Sequence, residues 1–222
     1  MIQAPPDAGH PSHGRLWVEF IVLFVGAPLA MSATFGLYPL FPVLIGFAAL
    51  SCLLLHLTPG WRWRKLFAGP VLGEWRLILL FASVAIAVSL IVVFALAPAR
   101  LLDLPLNRTR LWLMIMLLYP IFSALPQELI FRALFFERYG ALFPNRWTAI
   151  AANGAAFALG HLFFGAWVTL LMTGFGGAIM GWAYLRHRSF GLALALHALA
   201  GQIIFTVGLG IYFYHGAVQG AP

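Results

Sequence analysis

Charge is scarce in this chain. Only 9% of its 222 residues are Asp, Glu, Lys or Arg, against roughly 25% in an ordinary soluble domain. Acidic residues are the scarcest, six against thirteen basic ones. There is one cysteine, Cys52. A single thiol excludes an internal disulfide and a cysteine-built zinc site, and its apolar setting predicts a buried small hydrophobe. Basic patches interleaved with exposed aromatics are missing, which argues against nucleic acid as a partner despite a net charge of +7. No internal repeat and no second domain are visible.

What fills the chain is apolar. Hydrophobic residues make up 63% and mean hydropathy is +0.95. A soluble globule of this size cannot hide so much apolar surface, whereas a bilayer can. The expected fold is therefore all-α, a polytopic transmembrane helical bundle of about seven spans. The runs lie near 17–35, 40–57, 77–96, 111–136, 147–164, 166–185 and 190–214. A turn of Gly36, Leu37, Tyr38 and Pro39 separates the first two. Pro120 and Pro126 predict a kink or break in the fourth. Residues 1–15 read as a disordered cytoplasmic tail and 16–222 as one transmembrane domain. Arg15 before an apolar run faintly resembles a signal peptide, but the run is long enough for a first span. With seven spans, one side of the membrane holds nine of the Lys and Arg residues in the loops and the other holds Arg100, Arg108 and Arg110. The positive-inside rule then puts the N-terminus in the cytoplasm and the C-terminus outside, as expected for a bacterial inner membrane.

Ionisable residues inside a span are costly and mark function by default. Glu128 and Arg132 stand four apart, on one helix face. They form either an intrahelical ion pair that carries both charges into the membrane, or a carboxylate that a guanidinium orients for chemistry. Gln127 beside them can hold a water or a carbonyl. His161 and His197 lie on two further spans. One such histidine is ordinarily structural, but two together with Glu128 can activate a water or bind a metal. Gln202 reads equally as an oxyanion donor or as an interhelical hydrogen bond. Asn153 reads mainly as helix–helix glue, with substrate contact as its other role. Gly174, Gly176, Gly177 and Gly181 predict close helix packing, and Arg15 with Glu19 an interfacial pair.

Three segments in order, Gln127-Glu128-x-x-x-Arg132, Phe157-x-x-x-His161 and His197-x-x-x-Gly201, resemble the CAAX-protease and bacteriocin-processing family of intramembrane proteases, also called the abortive-infection family. The usual pattern is Glu-Glu-x-x-x-Arg, Phe-x-x-x-His and His-x-x-x-Asn. The resemblance covers about residues 111–210. It implies a helical bundle with a cavity toward the cytoplasm and peptide-bond hydrolysis by water that glutamate and histidine activate, with a His/Asn pair stabilising the oxyanion. Two positions depart from the pattern: Gln127 stands where the first glutamate belongs, and Gly201 where the asparagine belongs. The implied catalytic set is Glu128, His161, His197, Arg132 and Gln127, with Gln202 and Asn153 on the oxyanion or substrate.

The expected function is an intramembrane endopeptidase acting on a membrane-near peptide. The alternatives are a non-catalytic relative that binds a peptide or partner, which Gln127 favours, and a small proton-coupled transporter, for which no inverted repeat is visible. Zinc is the one cofactor the histidines and Glu128 leave open, although neither His-x-x-x-His nor His-Glu-x-x-His occurs. On straight helices His161 would lie about 20 Å from its cytoplasmic end and the other two about 10–15 Å. Convergence therefore requires a broken or re-entrant segment.

Overall fold

The computed structural model describes residues 11–34 and 39–213. The expected turn at Gly36–Tyr38, most of the N-terminal tail and everything from Tyr214 onward lie outside the described residues. Among the described residues there is no strand. Seven apolar helices are present: α1 (His13–Ala33), α2 (Leu40–His56), α3 (Trp75–Leu96), α5 (Thr109–Leu142), α6 (Arg146–Leu159), α7 (Trp167–His187) and α8 (Phe190–Val207), with a short α4 (Asp103–Asn107) between α3 and α5. Among the described residues six segments are long and apolar enough to cross a membrane, those of α3 and α6 together with their flanking turns as Trp63–Leu96 and Arg146–Phe164, and α2 is slightly shorter than the shortest of these. Large apolar side chains are exposed along them, Ile91, Leu117 and Phe175 among them. Water would penalise that surface and lipid does not. The protein is an integral membrane protein.

Local chemistry sets the helix ends. Ser12 accepts a hydrogen bond from the Arg15 amide and starts α1 at His13, slightly inside the expected tail. Asn145 and Thr148 form a reciprocal capping box at the head of α6. Ser189 accepts from the Leu192 amide and starts α8. At its other end α8 stops at Gly208, whose φ of +116° only glycine adopts freely. A Cβ there would collide with the Arg100 carbonyl.

The fourth span differs from its expected outline. It continues beyond Phe136 to Leu142, so Arg138 is helical rather than part of a loop. The cause is a clamp. Arg138 meets Glu19 at 2.7 Å and donates to the Thr58 hydroxyl at 3.1 Å. Glu19 is held by Arg15 as well, at 2.9 Å. Nearby, Lys65 pairs with Glu137, and His187 with Glu74. These contacts gather the start of α1, the ends of α5 and α7, and the connector before α3 on one side of the bundle. Cys52 is half-buried rather than enclosed.

Two wide π-helical turns interrupt α5, at Pro120–Ala124 and Leu129–Leu134, and they bracket Glu128. Proline at 120 has no N–H to give the Met116 carbonyl one turn back. Gln202 of α8 supplies the missing donor, with Nε2 2.9 Å from that oxygen. The glycine stripe of α7 lies against α6. Cβ atoms built at Gly177 and Gly181 would fall within 2.8 Å of the Phe157 side chain and 2.7 Å of the Asn153 amide oxygen. The core between these helices is aromatic, centred on Phe20, Phe24, Phe131, Phe135, Tyr139 and Phe157.

Candidate active site

Glu128 and Arg132 are both fully enclosed. Arg132 Nε stands 3.1 Å from Glu128 Oε2, one helical turn apart. Neither atom has an aligned hydrogen-bond partner, so the contact is ionic rather than a directed bond. The other carboxylate oxygen, Oε1, lies 2.8 Å from His197 Nδ1. A carboxylate only accepts, so the proton sits on Nδ1 and the lone pair of the neutral ring on Nε2.

The guanidinium is tied down from α6. Arg132 Nη1 donates to Asn153 Oδ1 at 2.9 Å, and Asn153 Nδ2 donates to the Phe131 carbonyl at 2.5 Å. Both ends of the Asn153 amide are therefore engaged by α5, which is the geometry of helix glue. Arg132 also lies over the Phe157 ring, 4.9 Å from its centre.

The anticipated break is present next to His161. The α-helix ends at Leu159, and His161 sits in the turn that follows, with φ −110°. Gly165, at φ +71°, turns the chain into α7. His161 is thus off the helix whose straight geometry would have placed it too deep. Its Nδ1 bonds the Phe157 carbonyl at 2.7 Å, which again leaves the lone pair on Nε2. Phe157 is the hub between the imidazoles, its ring centre 4.6 Å from that of His161 and 5.3 Å from that of His197.

A cavity of about 730 Å³ opens beside this cluster. Its wall is apolar apart from a few groups: Gln127, His161, His197, Tyr119, Ser89, Ser123 and Thr173. Glu128, Arg132 and Asn153 lie behind the wall rather than in it. Gln127 donates from Nε2 to the Ser123 hydroxyl at 3.0 Å, and its buried Oε1 has no partner among the described residues. Gln202 does not line the cavity and gives its N–H to Met116. Tyr119 is a wall residue that no motif in the sequence marks. Its one signal is a phenol eight residues before Gln127, on a similar face of the same span.

The donor set does not suit a three-ligand catalytic zinc. The two imidazoles offer one Nε2 each, while Glu128 is occupied on the Nδ1 side of His197. Among the described residues no group of three His, Cys, Asp or Glu side chains is placed to hold a metal.

The arrangement places two imidazoles in the wall of an apolar chamber, with a buried carboxylate behind one of them. Residues 108–203 match the profile of the family described as Type II CAAX prenyl endopeptidase Rce1-like. The matched stretch runs from the head of α5 into α8 and contains every residue of the cluster. No curated protein and no solved structure matches the chain. Residues 108–203 are thus similar to the Rce1-like family, in agreement with the resemblance that the three short motifs of α5, α6 and α8 carry.

Proposed function

We propose that this protein is an intramembrane endopeptidase cleaving a membrane-near peptide, in which His197 and His161 activate the water and Glu128 acts through His197. The observation that carries the proposal is the enclosed Glu128–His197 contact of 2.8 Å behind a cavity that His197 and His161 both line. Water held against the two Nε2 lone pairs adds its oxygen to the scissile carbonyl carbon and passes a proton to His197. The carbonyl π pair moves onto oxygen. Glu128 offsets the imidazolium charge, and Arg132 holds the carboxylate in place. Collapse restores the carbonyl and breaks the C–N bond, and the departing amine takes the proton back from His197. Gln127 Oε1 is a further acceptor for the water. The basic side of the bundle, with the N-terminus, faces the cytoplasm of a bacterial inner membrane, and the C-terminus lies outside.

The test is cleavage of membrane-anchored peptides by the full chain in liposomes. Glu128→Gln should lower kcat by about 10²–10⁴-fold, because a carboxamide can donate to Nδ1 and reverse the tautomer. His161→Ala should lower it comparably. Wild-type rates in both variants would end the proposal.

A second reading has its own support. The side chain at the cavity wall is Gln127, not Glu128, and glutamine is no general base. On that reading the chain binds a peptide or partner without cutting it. An inert wild type that gains hydrolysis on Gln127→Glu would favour this reading.

A further inference from the structure

The geometry points to Tyr119 as the oxyanion donor of this site; this deepens the peptidase reading and rests on it. The reaction needs a hydrogen-bond donor on the far side of the carbonyl from the attacking water. Gln202, the obvious candidate in the sequence, is turned away and gives its N–H to the Met116 carbonyl. Asn153 is enclosed behind the wall, with its N–H on the Phe131 carbonyl. Arg132 is fully enclosed as well. Of the hydroxyl side chains in the cavity wall, Ser89, Ser123, Thr173 and Tyr119, it is Tyr119 whose ring packs against His197.

Its position is fixed by α8. Gly201 lies one turn after His197, on the same face, and its missing side chain leaves a slot. The Tyr119 ring fills that slot. A Cβ built on Gly201 would fall within 2.6 Å of the phenol oxygen and nearer still to the ring. The ring makes edge contacts with His197, 6.0 Å between centres, and with Phe205, 5.8 Å. The phenol therefore stands where a side chain at 201 would otherwise reach, and 201 is where the motif departs from His-x-x-x-Asn. The departure is a relocation: the polar group projects from α5 instead of α8. Because the phenol is neutral, its O–H stabilises a negative oxygen without adding a charge to an apolar chamber. As the carbonyl π pair moves onto oxygen, the Tyr119 O–H donates to it. No proton changes owner, and the bond relaxes when the carbonyl reforms.

The experiment compares wild type with Tyr119→Phe, which keeps the ring and removes only the O–H. Two readouts use the full chain in liposomes. The first is hydrolysis of a membrane-anchored peptide, where kcat should fall about 100-fold with KM nearly unchanged. The second needs no turnover. It measures the affinity of a hydrophobic phosphinic pseudopeptide, whose PO₂⁻ group mimics the tetrahedral oxyanion, against its amide parent of the same sequence. Wild type should prefer the phosphinic compound, and Tyr119→Phe should lose about tenfold of that preference while binding the amide as before. A preference unchanged in Tyr119→Phe, or absent in wild type, overturns the assignment. Phosphinic preference that depends on Tyr119 in a chain that cuts nothing keeps the donor and removes the peptidase reading.

Discussion

Arg132 shows how one buried charge organises its neighbours. It is fully enclosed, so its stability depends on Glu128 at 3.1 Å, Asn153 at 2.9 Å and the face of Phe157. Removing the guanidinium leaves an uncompensated carboxylate. Arg132→Met should therefore destabilise the protein by about 3–5 kcal/mol, read as a lower unfolding midpoint in mild detergent. Asn153→Ala should cost about 1–3 kcal/mol, because it leaves Arg132 Nη1 and the Phe131 carbonyl only their longer contact with each other, at 3.3 Å. At this scale the sequence is a good guide to some residues and silent on others. Glu128, Arg132, His161 and His197 are visible because a charge or an imidazole in an apolar run has few explanations. Tyr119 is not, since a tyrosine among leucines looks like core, and only the missing side chain at Gly201 gives its ring a place. Nothing in the order of residues says that Gln202 is already engaged. That follows from Pro120 and a carbonyl on another helix.

The helices repeat the lesson at the next scale. Apolar length marks all seven, but where α5 stops depends on Arg138, whose partners Glu19 and Thr58 are distant in sequence. The break before His161 could be argued from depth, yet its site is set by the turn from Gly160 to Gly165. Close packing of α6 on α7 gives the sharpest test of an element. A side chain at Gly181 would push into the Asn153 amide, so Gly181→Val should disturb the Arg132 anchor from the opposite helix. A loss of about 1–3 kcal/mol is expected from overpacking alone. Combined with Asn153→Ala, the effects should be less than additive, since both act on one contact.

For the whole molecule, the distribution of charge predicts an orientation that can be measured. In a Cys52→Ala background, Arg64→Cys should react with a membrane-impermeant maleimide only from the cytoplasmic side, and Arg110→Cys only from the other. Labelling of both from one side would contradict the seven-span arrangement. The bundle also separates its polar tasks by location. The chamber wall is nearly free of charge, while the ion pairs of Glu19, Glu74 and Glu137 tie the helices together along one rim.

The Glu19 clamp also joins a near charge to a far one. Arg15 is four residues from Glu19, whereas Arg138 is 119 residues away. The carboxylate therefore has a counter-charge one turn away on α1 that does not depend on any other helix. Glu19 thus carries one counter-charge within its own helix and a second that ties α1 to α5.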